Sequence, residues 1–375
     1  MNKKRFIAIL FIFSLIVFSK CKIPFEPEFL GDISEILVID GDIVVGGMSK
    51  IYISTAIPVN SDMFGMLYNI TKADVSIEDD IGNTYRSDII YGHDVMYEFQ
   101  SYYEVDTRHF LESDKYRLVV RYENNEYATD FLPVIKTPEI KDINFSVSPD
   151  KDCIYFQVST EGVDDQSKYY KWRYEEDWEF SAPFQYNDGS DAGSCWGKDG
   201  STDIIIATSK DLDHNIIREH RVNKILKNEK KISKLYRIRL YQTAISGPEY
   251  RYLYNVRKNS NEIGGIFGPQ PSEMSGNVKC INDSSIDVLG FISCSTVTTM
   301  TKYFEASEIG IYEETMPCKP IVGNFPNYSN TDMEAAGYRI FDQGPDGTVW
   351  ISVECVDCSY YGSRNRPIDW LTTNE

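Results

Sequence analysis

Short segments in which apolar and polar residues alternate recur along most of the chain, and residues that favour turns separate them. One such segment, residues 36–45, is followed by the turn residues Gly46 and Gly47. In residues 73–77, apolar and polar residues alternate. A period of two is typical of strands with one buried face. Closely spaced strands without intervening helices favour an antiparallel sandwich. We therefore predict an Ig-like antiparallel β-sandwich over residues 36–135.

The remainder of the chain, residues 136–375, is predicted to form a larger domain that is also rich in β-structure. Residues 169–175 place Tyr, Trp and Tyr on one face and Lys and Arg on the other. A helix is predicted near 248–263, because Pro248 suits a first helical turn and Gly264 suits a helix end. The expected fold class is mainly β, with one or two helices in the second domain.

The first twenty residues have the pattern of a secretory leader. After a short basic start, the apolar run 6–18 is shorter than the roughly 20 residues that span a bilayer, and it stops just before Cys21. A bacterial lipoprotein signal ends at such a cysteine, which is lipidated and becomes the mature N-terminus. We predict a signal peptide over 1–20, acylation of Cys21 that includes palmitate, and a tether over 21–35. The alternative is an ordinary secreted protein with an incidental cysteine.

The charge of the chain excludes some partners. The chain carries 38 basic and 57 acidic residues, a net charge of −19. Nucleic acids need clustered Lys and Arg, so we predict no nucleic-acid partner. The net negative charge also argues against attachment to anionic lipid by charge alone. Stable anchoring takes more than one acyl chain, which a lipoprotein cysteine would provide.

The chain has eight cysteines, so seven remain if Cys21 is acylated. Compartments beyond the inner membrane permit disulfides, and an odd count leaves at least one thiol unpaired. The C-x-x-C at Cys355 and Cys358 is compatible with a redox pair, half of a zinc site or structural disulfides, and we favour structural disulfides with the pairing open. The candidate disulfide cysteines are Cys195, Cys280, Cys294, Cys318, Cys355 and Cys358.

No sequence motif identifies a reaction. The chain has no G-x-S-x-G, P-loop or H-E-x-x-H motif, and its four histidines show no metal-ligand spacing. The acidic, glycine-containing stretches 187–191 and 344–347 do not match a calcium loop and are predicted to be turns. We therefore predict no catalytic residue, no metal and no cofactor. A hydrolase whose site the sequence hides stays an alternative.

Several stretches beyond Cys195 carry the pattern of a known family. The most specific is KNSNEIGGIFGPQPSEMSGN at 258–277, and further stretches are YRIRLYQTAIS at 236–246 and PIDW at 367–370. Through these stretches the chain resembles a family of Bacteroidota outer-membrane lipoproteins known as domain of unknown function 4249. The resemblance implies an accessory lipoprotein of the kind often encoded beside TonB-dependent transporters for nutrient uptake. It transfers no catalytic residue.

Residues 259–277 combine glycines and prolines with few apolar side chains. Prolines stiffen such a segment and glycines allow unusual backbone angles, and shaped loops on rigid scaffolds often carry binding. We expect this loop and the preceding helix to face a partner barrel or a ligand, with Phe267 as the aromatic anchor. The candidate residues are Tyr252, Phe267, Pro269, Gln270 and Pro271. The alternative is a structural corner that covers a sheet edge.

The expected function is that of a non-enzymatic, lipid-anchored outer-membrane protein that assists a TonB-dependent transporter. The cell surface is favoured over the periplasmic face. The alternative is a lipoprotein that works alone and binds surface glycans or peptides through Tyr and Trp side chains.

Overall fold

The computed structural model describes residues 36–370 except 57–68, 92–100, 163–166, 185–192, 263–275, 315–317, 324–327 and 346. Cys21 with its leader and tether lies outside the described residues, as do Phe267, Pro269, Gln270 and Pro271. Within the described ranges the chain is mainly β, which confirms the predicted fold class. No helix in this part of the chain is both long and apolar enough to cross a bilayer.

The strands are β1 Leu37–Val44, β2 Met48–Thr55, β3 Asp74–Asp79, β4 Thr84–Arg86, β5 Asp88–Ile90, β6 Tyr102–Asp106, β7 Lys115–Tyr122, β8 Asn125–Thr129, β9 Leu132–Pro133, β10 Ile140–Val147, β11 Cys153–Glu161, β12 Tyr169–Ser181, β13 Ser194–Gly200, β14 Ile205–Thr208, β15 Ile216–Leu226, β16 Leu235–Ala244, β17 Val278–Cys280, β18 Val288–Leu289, β19 Ile292–Ser295, β20 Val297–Glu305, β21 Ile321–Val322, β22 Tyr338–Gly344 and β23 Gly347–Ser352. The helices are α1 Gly247–Glu262, α2 Ala306–Ile309, α3 Asn330–Ala335 and α4 Val353–Val356. Helix α1 is the helix that Pro248 predicted, whereas α2 to α4 are short helices without a sequence prediction.

Two sheets form the first sandwich. One has the order β18-β1-β2-β6-β5, with β19 also paired to β1, and the other has the order β17-β8-β7-β3-β4, with β9 paired to β7. Their facing side chains share one core, in which Ile39 and Ile51 of the first sheet and Ile77 and Leu118 of the second are fully buried. The alternation of apolar residues in β1, β2, β3 and β7 therefore builds this core directly.

Strands from beyond residue 135 complete the first sandwich. β18 and β19 lie parallel to β1, with Ile43 opposite Cys294, and β17 pairs antiparallel with β8. The strand pairing thus crosses the boundary predicted between residues 135 and 136. Gly290, between β18 and β19, has φ +115°, and a Cβ there would lie 1.8 Å from the carbonyl oxygen of Ile39. Only glycine lets the returning chain approach β1 this closely.

The second sandwich packs the sheet β10-β11-β15 against the sheet β13-β12-β16-β20, with β14 paired to β12. Phe156 of the first sheet and Tyr170 and Tyr236 of the second are fully buried between them. Because side chains alternate along β12, Lys171 points away from this core and toward α1 and β1. The strand β12 therefore links the second core to the junction between the sandwiches.

A small sheet of order β21-β23-β22 follows near the C-terminus. Two disulfides hold this region: Cys318–Cys355 links it internally, and Cys195–Cys358 links it to β13 of the second sandwich. The two cysteines of the C-x-x-C motif therefore bond to separate partners and not to each other.

Candidate functional site

A cleft of about 600 Å³ lies where α1 meets the first sandwich. Its lining combines apolar side chains with a few polar ones, which is typical of ligand-binding clefts. The lining residues are Leu132, Pro133, Ile135, Ser246, Pro248, Glu249, Arg251, Tyr252, Asn255, Gly276, Asn277, Phe291, Ile292, Ser293 and Cys294. These residues come from α1, from β9 and β19, and from the segments next to them.

The sequence at the start of α1 fixes the orientation of Glu249. The Oγ of Ser246 accepts a hydrogen bond from the backbone N–H of Glu249 at 3.1 Å, as in an N-cap. Pro248 occupies the first turn, where its missing N–H costs no intrahelical hydrogen bond. A carboxylate in the first turn is also favoured by the helix dipole. The cap therefore holds Glu249 at the edge of the cleft with its side chain turned toward β12.

A cluster of charged side chains lies next to the cleft, and Glu249 is the charged member of the cluster that lines it. The Nζ of Lys171 lies 3.0 Å from Oε1 of Glu249 and also contacts Oδ1 of Asp42. The hydroxyl of Ser293 donates a hydrogen bond to the same Asp42 oxygen. Glu249 is 3% exposed and Lys171 is 23% exposed. The cluster thus joins α1, β12, β1 and β19, and these elements belong to both sandwiches.

The environment shifts the protonation of these groups in different directions. Burial raises the pKa of Glu249 to about 7, against the opposing effect of the Lys171 ammonium. Burial also acts against ionised Asp42, but Lys171 and Ser293 hold its pKa below the ordinary range. For Lys171 burial favours the neutral form, yet Asp42 and Glu249 together raise its pKa. Lys171 and Asp42 are therefore charged near neutral pH, and Glu249 carries the labile proton.

The cluster holds more negative than positive charge. Asp40, an exposed carboxylate on β1, adds to Asp42 and Glu249, and it raises the pKa of Glu249 further. Lys171 is the cation bonded to Asp42 and Glu249 in this part of the structure. Oε1 of Glu249 accepts the bond from Lys171, whereas Oε2 accepts no hydrogen bond from any described residue. Oε2 of Glu249 is therefore left for a ligand.

The lining offers recognition groups and no activated thiol. Cys294 borders the cleft, but burial raises its pKa to about 12, so it is a neutral thiol. Over the described residues, no group of three or more His, Cys, Asp or Glu side chains could hold a metal ion. The arrangement can bind a ligand through shape, hydrogen bonds and the charge of Glu249.

Tyr252 is the one predicted binding residue that the structure describes, and it lines the cleft. Its ring lies 5.6 Å from that of Phe291, and burial raises the pKa of its hydroxyl to about 12. Asn277, at the end of the predicted loop, also lines the cleft. Its side chain accepts from the N–H of Ile292 and donates to the carbonyl of Ile292, both at 2.8 Å. This pair of hydrogen bonds fixes the end of the loop segment to β19.

Glu249, Lys171 and Asp42 were not singled out by the sequence analysis. A signal for Glu249 was present, because Ser246 and Glu249 have the S-x-x-E spacing of a helix start. Lys171 could be placed on the outer face of its strand, but its partners lie 129 residues before it and 78 residues after it. Local periodicity cannot pair groups that far apart.

Four of the six candidate cysteines form the two disulfides described above. Cys280 and Cys294 are buried thiols without a disulfide bond, and so is Cys153. Cys280 lies on β17 and Cys294 on β19, both in the core of the first sandwich. In this core the two thiols act as small apolar side chains.

The fold and the site define a class of protein: two β-sandwiches with a cleft at the helix that joins them, and a lysine–carboxylate cluster next to the cleft. The chain belongs to the family described as Domain of unknown function (DUF4249), whose model matches residues 22–301. No match was found among curated proteins. The matched range ends within β20, so the small C-terminal sheet lies beyond it.

Proposed function

We propose that this protein is a non-enzymatic, lipid-anchored outer-membrane protein that serves as an accessory partner of a TonB-dependent transporter for nutrient uptake. The observation that carries the proposal is the cleft beside α1, a concave surface built from this helix and from β9 and β19 of the first sandwich. The leader that ends at Cys21 and the likeness to transporter-associated lipoproteins support the same conclusion.

The cleft suits a binding role because its position is fixed on several sides. The buried contact of Lys171 with Glu249 and Asp42 holds α1 against β1, and the hydrogen bonds of Asn277 hold the opposite rim. A preformed surface loses little conformational entropy on binding. Arg251 is exposed at the rim and so is available to a partner.

The tether limits how far the first sandwich can lie from the membrane. Residues 21–35 precede β1, and a fully extended chain of that length reaches roughly 50 Å. Acylation of Cys21 would therefore keep the cleft within reach of a barrel in the same membrane. Cell fractionation tests this anchoring: Cys21→Ser should move the protein to the soluble fraction and abolish labelling with palmitate. A variant that stays in the membrane would contradict the lipid anchor.

Purification from detergent-solubilised outer membranes tests the partnership. We expect a large barrel protein to co-purify with the wild type and with Arg339→Glu, a matched charge reversal at an exposed position on β22. Arg251→Glu should reduce the amount of co-purified barrel protein at least fivefold, because it reverses the charge of the cleft rim. Recovery of a clean monomer in all three preparations would contradict the proposal.

A second candidate function is glycan or peptide binding without a transporter. Tyr169, Tyr250 and Tyr254 favour it because they form a row of rings, with centroids 5.2 Å and 6.4 Å apart, and Tyr254 is 46% exposed. Exposed aromatic rings are suitable contacts for sugars and for apolar side chains. A monomeric preparation that retains glycan or peptide affinity would support this function in place of the first.

A further inference from the structure

We propose that the cleft binds a protonated primary amine attached to an apolar group, with the carboxylate of Glu249 as the partner of the amine. This inference goes beyond the proposed transporter partnership and does not depend on it. Its basis is the combination of a cleft of ligand size, a surplus of negative charge around the buried Glu249, and a carboxylate oxygen without a hydrogen-bond partner among the described residues.

Only one of the two carboxylate oxygens of Glu249 accepts a hydrogen bond from a described residue. Its side chain is 3% exposed, Oε1 accepts the bond from Lys171 at 3.0 Å, and Glu249 lines the cleft. An acceptor oxygen without a protein donor is unfavourable unless water or a ligand supplies one. An ammonium group in the cleft would supply the missing donor and a compensating charge. Hydrogen bonds between charged groups are also stronger than neutral ones.

The charge balance of the cluster selects a cation over an anion. Asp42 and Glu249 already share the single ammonium of Lys171, and Asp40 adds a further carboxylate nearby. An anion beside Glu249 would meet these carboxylates, whereas a cation there would lower the surplus of negative charge. Arg251, the cation among the lining residues, is exposed at the rim. A metal ion is disfavoured because no cluster of three metal-ligating side chains occurs among the described residues.

The walls of the cleft select an apolar body for the ligand. Leu132, Ile135 and Phe291 line one part of it, and Tyr252 lies against Phe291 with ring centroids 5.6 Å apart. A volume of about 600 Å³ accommodates a group larger than a single side chain. The neighbouring rings also favour a cation, because their faces carry negative potential. Small hydrophobic amines and the N-terminus of an apolar peptide share this chemistry.

Isothermal titration calorimetry on the full-length chain in detergent tests the inference. The probes are phenethylamine for a small amine and phenylalanyl-leucine amide for a peptide N-terminus, each compared with its N-acetylated form. We expect at least one free amine to bind, and its acetylated form to bind at least tenfold more weakly. Binding of phenethylamine alone supports a small-amine ligand, and binding of the dipeptide amide alone supports a peptide ligand.

Substitution of the carboxylate assigns the binding to Glu249. Glu249→Gln should weaken binding of the free amine at least tenfold, because it removes the charge and keeps the shape. The matched control is Glu313→Gln, since Glu313 is 59% exposed and pairs with Lys227 outside the cleft, and it should leave binding unchanged. Absence of binding by both amines, equal binding of acetylated and free amines, or a Glu249→Gln affinity equal to that of the wild type would overturn the inference. The comparison with acetylated probes needs no variant and stands if Glu249→Gln does not fold.

Discussion

The Nζ of Lys171 lies 3.0 Å from Oε1 of Glu249, and the same ammonium contacts Asp42 on the first strand of the other sandwich. One side chain of β12 therefore ties α1 to β1, although the three residues are far apart in the sequence. The cleft lies directly beside this contact. The position of α1 beside the cleft thus depends in part on Lys171.

Substitution of Lys171 should lower the free energy of unfolding. Lys171→Met keeps the apolar stem but leaves Glu249 and Asp42 without their cation, and breaking a buried pair from one side costs up to about 5 kcal/mol. Because Lys171 is partly exposed, we expect a smaller loss, about 2–4 kcal/mol in the free energy of unfolding measured with urea. The control Lys227→Met removes exposed pairs with Glu313 at 2.9 Å and Asp152 at 3.1 Å, and it should have almost no effect on the free energy of unfolding. Equal losses in both variants would refute the structural role of Lys171.

The proton on Glu249 predicts a dependence of stability on pH. Its pKa is raised from the ordinary 4.5 to about 7, so the folded chain binds this proton more tightly than the unfolded chain. This contribution is present below about pH 4.5 and is lost as the pH rises through about 7. The shift corresponds to a contribution on the order of 3 kcal/mol.

Comparison with Glu249→Gln isolates this contribution, because the amide does not titrate. The free energy of unfolding of the wild type minus that of the variant should fall as the pH rises from 4.5 to 7. Denaturant titrations at several pH values measure this difference. A difference that is constant over the same pH range would show that Glu249 has no raised pKa.

Local features of the sequence predicted the strands well, because strand and turn signals act over a few residues. The predicted strand at residues 36–45 contains β1, Leu37–Val44, and Pro248 predicted α1, which the structure places at Gly247–Glu262. The return of β17–β19 to the first sandwich was not predicted. Its pairing partners lie more than 100 residues earlier, and short strands such as β18 carry too few residues for a periodic signal.

The site was only partly predictable for the same reason. Tyr252 lies on the predicted helix and lines the cleft, and its role in binding stays a prediction. The charge cluster was not predicted, since 57 acidic residues offer many possible partners for one lysine. The disulfide pairing was left open, and the structure resolves it through contacts that join Cys358 to Cys195 across 163 residues.

The disulfide connectivity can be checked directly. Mass spectrometry of non-reduced peptides should detect links between Cys195 and Cys358 and between Cys318 and Cys355. Cys153, Cys280 and Cys294 should react with an alkylating reagent only after unfolding, because all three are buried. A link between Cys355 and Cys358 would contradict the structure.

The C-terminal residues should stabilise the second sandwich. Trp370 is 5% exposed, and its ring lies 5.3 Å from the guanidinium of Arg237 and 5.6 Å from the ring of Tyr303. Trp370→Ala should therefore destabilise the protein by about 3–5 kcal/mol in urea unfolding. Ile368→Ala is the matched control, because Ile368 is fully exposed two residues earlier, and it should have almost no effect. A small effect of Trp370→Ala would show that the C-terminal segment is not part of the folded unit.

Photo-crosslinking in living cells tests the central claim most directly, because it reports what the cleft faces in the membrane. A photoreactive amino acid at position 251 places the probe on the cleft rim, and the same probe at position 339 places it on the distant β22. Our account predicts an adduct with a large outer-membrane barrel from position 251 and none from position 339. No barrel adduct from position 251, or equal adducts from both positions, would contradict it.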